Sequence, residues 1–336
     1  MKKLFPVLLL AVLLVSCAES PAPEEAPSAA PPSDFRLVLV LAIDQFRTDY
    51  LDRFAPVLKG GLGRLAERGV FFVDGHQDHA VTNTGPGHAS ISTGAYPSRS
   101  GIITNQWFDK QSRISMYCVG DANWPLIGSI APGGRSPHLL QVSALPDWMK
   151  EQWPGAKVFT ASYKDRAAIL LGGHSADGAY WYSSGDFVTS TYYRTSYPRW
   201  VIDFNDRNLP DQYFGKLWEP LPVDGSVKKS LSIETTDFGW FERGFPHALG
   251  GRSFRPGPSF YSSFASSPML DGYLAEFAKE LIVQEAMGQD QSPDYLGLSF
   301  SAPDLVGHSY GPNSPELLDT LIRLDTCIGD MLDFID

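Results

Sequence analysis

Cysteine is scarce in this chain, and basic residues are fewer than acidic ones. Only 3 of the 336 residues are Cys, too few for a disulfide scaffold. Lys and Arg total 27 against 38 Asp and Glu, and the formal net charge is −11. This argues against general nucleic-acid binding, because phosphate backbones attract basic surfaces. Apolar residues still make up 43% of the chain, so we expect a folded domain with a sizeable core.

The N-terminal apolar run, Leu4 to Val15, is too short for the roughly 20 residues that a membrane-spanning helix needs. Lys2 and Lys3 precede it, which is typical of a secretory signal peptide. The segment that ends at Cys17 resembles the lipobox of bacterial lipoproteins, in which the Cys is acylated. We therefore expect a lipoprotein signal peptide over residues 1–17 and a lipid-anchored protein on the periplasmic face of a bacterial membrane. The alternative is an ordinary signal peptide with a chance Cys.

Residues 18–35 follow as a segment rich in Pro, Ala, Ser and Glu. Such a composition cannot bury a core, and it predicts a semi-extended linker. The folded part is then expected over residues 36–336. Cys118 and Cys327 lie inside it. An oxidising compartment would permit them to pair, while two unpaired, buried thiols remain the alternative.

Apolar runs alternate with helical patterns in the folded part, which predicts an α/β fold with a mostly parallel central sheet between helices. Strands are predicted at 36–43, 70–73, 157–160 and 295–300. One helix is predicted from Tyr50 to Leu65, ending before Gly69, and a long helix is predicted from Ser314 onward. Between about 172 and 268 the chain is rich in aromatic residues, Gly, Ser and Pro, and we interpret it as a cap insertion. Its aromatic residues could line a cleft or simply pack the insertion.

Three polar segments carry the candidate chemistry. Asp44 follows the first strand, and functional residues of open α/β sheets gather at the carboxyl ends of strands. Thr84 precedes the turn Gly-Pro-Gly-His and is predicted at a helix N-terminus, where free N–H groups favour an anion. A helix cap is the alternative role for this Thr. Asp304 and His308, four residues apart after the strand at 295–300, suit a divalent metal such as zinc.

Together these segments resemble the alkaline phosphatase superfamily, and in particular its phosphate-irrepressible alkaline phosphatase branch, close to the nucleotide pyrophosphatase/phosphodiesterases. The resemblance runs from about Leu37 to the end of the chain. It also includes Ser100–Asn105 and the motif Ser-Tyr-Lys-Asp-Arg-Ala at 162–167.

The resemblance implies a role for each matching residue. Thr84 would be the nucleophile that becomes transiently phosphorylated. Asp44 and Thr84 would bind one zinc ion, and Asp304 and His308 the other. Asn105, Lys164 and Arg166 would contact phosphate oxygens. An ammonium and a guanidinium fork help most with a monoester dianion, so the expected substrate is a small phosphate monoester.

The chain departs from the family pattern in its metal ligands. The family supplies a further Asp-His pair and a later His, and neither follows His308 here. We therefore expect this sequence to be part of a longer enzyme and to be inactive alone. Two alternatives are a phosphodiesterase of the same superfamily and a non-catalytic lipoprotein that retains metal or phosphate binding. His76 and His79 could form a metal pair but match no ligand position of the family.

Overall fold

A computed structural model describes residues 35–128, 133–224, 244–250 and 254–336. The predicted signal peptide, the lipidation site Cys17 and nearly all of the predicted linker lie outside the described residues. Within these described ranges, no helix has both the length and the apolar character needed to cross a membrane.

A five-stranded sheet organises the chain, in the order β1-β11-β6-β7-β8. The first four of these strands run parallel, and β8 is antiparallel to β7. Short antiparallel pairs form outside this sheet, namely β2–β3, β4–β5 and β9–β10. The strands are β1 (Leu37–Ile43), β2 (Gln106–Asp109), β3 (Ile114–Tyr117), β4 (Gly120–Pro125), β5 (Gly134–Arg135), β6 (Val158–Ser162), β7 (Gly178–Ser183), β8 (Asp186–Val188), β9 (Leu217–Trp218), β10 (His247–Ala248) and β11 (Asp294–Phe300).

Helices cover both faces of the sheet. Along β7, Tyr180 and Tyr182 pack into one core cluster, while Ala179 and Trp181 pack into another. This alternation is the two-residue period of a strand buried on both sides. The α-helices are α1 (Asp49–Arg53), α2 (Gly61–Arg68), α3 (Thr84–Thr93), α4 (Pro97–Ser100), α5 (Leu145–Gln152), α6 (Asp165–Gly172), α7 (Arg199–Asn205), α8 (Pro258–Ala265), α9 (Met269–Gln284), α10 (Ala302–Tyr310) and α11 (Pro315–Ile335).

The α/β fold with a mostly parallel central sheet is therefore confirmed, together with three of its four predicted strands. The long terminal helix is confirmed as α11, whose Ser314 side chain accepts the N–H of Leu317 as an N-cap. Every residue of β6 and β11 is buried, whereas β1 at the edge of the sheet is only half-buried.

Two local predictions are wrong. Val70–Val73 is not a strand, and its side chains are exposed, Val70 by 83%. An apolar, β-branched run forms a strand only where a neighbouring strand pairs with it, and none does so in the described ranges. The single helix expected from Tyr50 to Leu65 is two helices, α1 and α2, separated by a segment that contains Pro56.

The predicted cap insertion at 172–268 begins inside the central sheet. β7 pairs with β6, and β8 pairs with β7, so the first part of this region extends the sheet. Its aromatic side chains pack the core: Phe187 stacks on Phe277 of α9, with ring centroids 3.9 Å apart, and Trp200 lies 5.3 Å from the same ring. Residues 225–243 and 251–253 of this region lie outside the described residues.

A carboxylate from the terminal helix holds α2 in place. Asp325, which is 2% exposed, accepts N–H groups of Gly60, Leu62 and Gly63 at the start of α2. It therefore caps a helix that has no side-chain cap of its own. Gly61 allows this close approach, because a Cβ there would lie 2.4 Å from Ile328.

Candidate active site

The site forms where three neighbouring parallel strands end. β1, β11 and β6 lie side by side, and Asp44, Asp304 and Lys164 each follow one of them. The backbone N–H of Asp44 donates to Phe300 O at 3.0 Å, which joins the ends of β1 and β11. Residues far apart in sequence thus meet at one edge of the sheet, as expected for an open α/β fold.

Lys164 lies between two carboxylates. Its Nζ is 2.6 Å from Asp44 Oδ2 and 2.6 Å from Asp304 Oδ2, and it also donates to Thr84 Oγ1 at 3.4 Å. All three charged side chains are largely buried. Burial raises the pKa of Asp44, but the neighbouring His88 ring and Lys164 ammonium, with hydrogen bonds from Lys164 and Ser301, bring it below its usual value. Asp44 is therefore ionised at neutral pH.

Thr84 is the first residue of α3, as the Gly-Pro-Gly turn predicts. His88, one turn further along, fixes this turn: its Nδ1 lies 2.9 Å from Thr84 O, and its Nε2 lies 2.8 Å from Ser299 Oγ. Since a carbonyl can only accept, the proton is assigned to Nδ1, and Nε2 accepts from the hydroxyl. Burial lowers the pKa of His88, so the ring is neutral at pH 7.

Asn105 is held by a backbone N–H beside the turn at Thr84–Gly87, which we call the Thr84 turn. Its Oδ1 accepts the N–H of Gly85 at 2.7 Å, which leaves the side-chain NH2 as a donor toward a ligand. Gly85 has little room for a side chain, because a Cβ there would lie 3.0 Å from Asn105 Oδ1 and 3.2 Å from Cys118 Sγ. The turn and the amide are therefore packed as one unit.

His308 lies on α10 one turn after Asp304, and its Nε2 is 3.1 Å from Asp304 Oδ1. Gln45 also approaches His308, with Nε2 atoms 3.4 Å apart. Gln45 adopts a positive φ of 59°, uncommon for a residue other than Gly, directly after Asp44.

Arg166 lies in the first turn of α6 and reaches the same cleft. Its Nη1 donates to Tyr117 OH at 3.2 Å, and Tyr117 OH donates to Asp165 Oδ1 at 2.5 Å. Asp165 Oδ2 accepts from Arg135 Nε. The cleft is open, has a volume of about 860 Å³, and is lined by all of the candidate residues: Asp44, Thr84, Asn105, Lys164, Arg166, Asp304 and His308.

The donor set suits part of a metal centre. Two carboxylates, an imidazole and a Thr hydroxyl are oxygen and nitrogen ligands that a divalent metal such as zinc accepts. In the portions of the chain that the structure covers, no three His, Cys, Asp or Glu side chains come together as a metal-binding group. His76 and His79 therefore form no metal pair of this kind. His76 Nε2 lies 3.0 Å from Asp74 Oδ1, and His79 Nδ1 lies 2.9 Å from Val81 O.

The two described cysteines are not paired with each other. Cys118 lies next to Gly85 of the Thr84 turn, and Cys327 lies on the terminal helix. Burial raises the pKa of each thiol to about 12, so neither is a reactive thiolate at neutral pH. The alternative of two unpaired thiols is therefore the one that the structure supports.

Several residues of the site were not singled out from the sequence: Gln45, Ser301, Tyr117, Asp165 and Arg135. Asp165 lies within the motif at 162–167, and Ser301 directly follows the strand predicted at 295–300, so both positions could have drawn attention. Tyr117 had no local signal, because its contact with Asp165 joins residues 48 positions apart.

Comparison with known proteins places this arrangement in a family. The family model described as type I phosphodiesterase / nucleotide pyrophosphatase matches residues 38–336. The chain belongs to this family. The family match spans every strand of the central sheet and all seven candidate site residues.

Similar members of the phosphodiesterase/nucleotide pyrophosphatase family include bacterial proteins. "Alkaline phosphatase PhoV" of Synechococcus elongatus is 40% identical over 310 residues, which cover 90% of this chain and 56% of the relative. "Alkaline phosphatase PafA" of Elizabethkingia meningoseptica is 33% identical over 311 residues, with the same coverage of each chain. This chain spans a little over half the length of these relatives.

A crystal structure of wild-type alkaline phosphatase PafA has a similar fold. It superposes with a TM-score of 0.80 at 32% sequence identity, covering 92% of this chain and 60% of that one. The central parallel sheet and its flanking helices are therefore those of a solved family member.

Proposed function

We propose that this chain forms the phosphoryl-binding and nucleophilic part of a phosphoester hydrolase whose preferred substrates are small phosphate monoesters. The observation that carries the proposal is the convergence of Thr84, Asn105, Lys164 and Arg166 on one cleft beside Asp44 and Asp304. Relatives named as alkaline phosphatases support hydrolysis of phosphate esters.

Thr84 is the proposed nucleophile. Its Oγ would attack phosphorus while the bond from phosphorus to the ester oxygen breaks, and the leaving alcohol would take up a proton. Water would then attack the phospho-threonine, release inorganic phosphate and restore the Thr84 hydroxyl. Thr84 is the first residue of α3, and the positive end of the helix dipole there would favour the developing negative charge on the phosphoryl group.

Asp44, Thr84, Asp304 and His308 would contribute to a two-zinc site. When bound, zinc would supply Lewis-acid stabilisation of the entering and leaving oxygens. Asn105 would donate its NH2 to a phosphoryl oxygen, and Arg166 would hold another with its planar fork. Lys164 sits between the two carboxylates, 3.4 Å from the Thr84 hydroxyl, so its ammonium is close enough to neutralise charge at the nucleophile.

A phosphodiesterase activity is the second candidate, because the matching family is described by that activity. A diester presents one negative charge and a second ester group, so it gains less from Lys164 and Arg166 than a dianionic monoester does. The ratio of monoester to diester turnover therefore separates the two candidates.

The test is hydrolysis of p-nitrophenyl phosphate and bis-p-nitrophenyl phosphate by the complete gene product supplied with zinc. We expect monoester turnover in the wild type, loss of at least about 10³-fold in Thr84→Ala, and partial activity in Thr84→Ser. Circular dichroism of each variant controls for folding. A folded, zinc-supplied wild type without turnover would favour the non-catalytic alternative, and unchanged turnover in Thr84→Ala would remove Thr84 as nucleophile.

The lipid anchor on Cys17 and a location on the periplasmic face of a bacterial membrane belong to the same proposal. Metabolic labelling with a clickable fatty acid tests it, since Cys17→Ala should abolish both the label and membrane association. Label that persists in Cys17→Ala would count against the lipobox assignment.

A further inference from the structure

A chain of polar contacts leads from the surface to Arg166. Arg135 donates to Asp165 Oδ2, Tyr117 OH lies 2.5 Å from Asp165 Oδ1, and Arg166 Nη1 lies 3.2 Å from Tyr117 OH. The guanidinium of Arg135 also lies over the Tyr117 ring, 5.0 Å from its centroid. Two arginines therefore flank a single Tyr–Asp pair.

The donor and acceptor of each hydrogen bond that links Arg135, Asp165, Tyr117 and Arg166 follow from the groups involved. A guanidinium can only donate, so Arg166 uses a lone pair of the Tyr117 oxygen. The Tyr117 proton is then donated to Asp165, whose carboxylate oxygen accepts it. Burial and the neighbouring Asp165 raise the pKa of Tyr117, so the phenol keeps this proton at neutral pH. Among the described residues, Tyr117 OH is consequently the group that links Asp165 Oδ1 to Arg166 Nη1.

The rest of the Arg166 guanidinium is arranged for a ligand. Its Nε is buried and has no hydrogen-bond partner among the described residues. A buried, unpaired donor on a charged group is costly unless an acceptor arrives. Arg166 lines the cleft shared with Thr84, so a phosphoryl group bound there would offer acceptor oxygens to this guanidinium.

We propose that Tyr117, held by Asp165 and Arg135, is a positioning residue that orients the Arg166 guanidinium toward the phosphoryl group and thereby contributes to the preference for monoesters over diesters. This inference rests on the proposed phosphoester hydrolase function. Tyr117 touches Arg166 rather than the reacting atoms, so its effect is expected only where Arg166 itself matters.

The experiment is a double-mutant cycle in the complete gene product with zinc, using Tyr117→Phe, Arg166→Ala and the double variant. Tyr117→Phe removes only the hydroxyl that Arg166 and Asp165 share. We expect kcat/KM for p-nitrophenyl phosphate to fall about tenfold, because the guanidinium loses one fixed contact, and kcat/KM for the diester to fall less than about twofold. In the Arg166→Ala background, Tyr117→Phe should have no further effect.

Tyr193→Phe is the matched control. Tyr193 packs against the same core cluster as Tyr117, and its buried hydroxyl has no partner among the described residues. Removing that hydroxyl should leave the monoester-to-diester ratio unchanged. Inhibition by inorganic phosphate gives a second measurement, and we expect weaker inhibition for Tyr117→Phe than for Tyr193→Phe.

The outcomes separate the inference from the function on which it rests. A wild type without turnover overturns the proposed hydrolase. A wild type with turnover in which Tyr117→Phe reduces both ester classes equally, or acts equally in the Arg166→Ala background, overturns the positioning role. If Tyr117→Phe fails to fold, Arg135→Gln removes the outer partner of Asp165 and should shift the ester ratio in the same direction. An unchanged ratio in Arg135→Gln would then overturn the inference.

Discussion

Lys164 Nζ lies 2.6 Å from Asp44 Oδ2, and the same ammonium lies 2.6 Å from Asp304 Oδ2. The side chain is 6% exposed, so the three charges interact with little screening. One side-chain cation thus offsets two carboxylates at the point where β1, β6 and β11 end.

Replacing Lys164 by Met should destabilise the zinc-free protein. Two largely buried carboxylates would then face each other, and breaking a buried ion pair costs about 3 kcal/mol in the free energy of unfolding. Zinc should restore more of the lost stability in Lys164→Met than it adds to the wild type, because it can replace the missing positive charge. Thermal unfolding with and without zinc measures both effects.

Lys150→Met is the control for this prediction. Lys150 also forms a 2.6 Å ion pair, with Asp177, but both side chains are more exposed. We expect a change below about 1 kcal/mol and no dependence on zinc. A similar loss of unfolding free energy in the two variants would contradict the stabilisation of Asp44 and Asp304 by Lys164.

Gly85→Ala should disturb the Thr84 turn. The new methyl group would press on Asn105 Oδ1 and Cys118 Sγ, so we expect a loss of about 1–3 kcal/mol in the free energy of unfolding and a displaced Asn105. Gly87→Ala is the matched variant in the same helix, because the nearest atom to its Cβ would be Gln77 Oε1 at 3.7 Å. It should be neutral or stabilising, since Ala favours a helix over Gly. Urea unfolding of both variants tests the contrast, which equal losses would contradict.

Asp271 makes stability depend on pH. Its carboxylate is fully buried; Oδ1 accepts the N–H groups of Ser301 and Ala302, and Oδ2 has no partner among the described residues. Burial raises the pKa of Asp271 to about 7. Because the folded pKa exceeds the unfolded value, this group's stabilising contribution is complete below about pH 4 and is lost as pH rises through 7.

Asp271→Asn should therefore raise the melting temperature at pH 8–9. An amide keeps Oδ1 as an acceptor and cannot ionise, so it avoids a cost on the order of 4 kcal/mol at pH 8. The advantage should shrink steadily toward pH 4. Thermal unfolding of both proteins across this range tests it, and a melting-temperature difference that does not change with pH would contradict the assignment.

The sequence predicted the strands of the central sheet correctly where an apolar run is followed by a polar residue of the site. The apolar runs at 36–43 and 295–300 both form strands of the central sheet, and the ends of these paired strands place Asp44 and Asp304 together. The run at 70–73 has the same composition, yet whether it pairs depends on a partner that composition does not specify. For Lys164, the motif indicated a contact with phosphate, and the structure adds a contact with two carboxylates. A long side chain can reach several partners, and only the folded geometry selects among them.

The half-buried edge of β1 has a practical consequence. β1 is the terminal strand of the sheet, and no strand in the described ranges pairs with its outer side. Val70–Val73 add exposed apolar surface elsewhere on the chain. An open, apolar strand edge is a template for pairing with another molecule. We therefore expect strand-to-strand association at this edge to contribute to any aggregation of the polypeptide as it is concentrated.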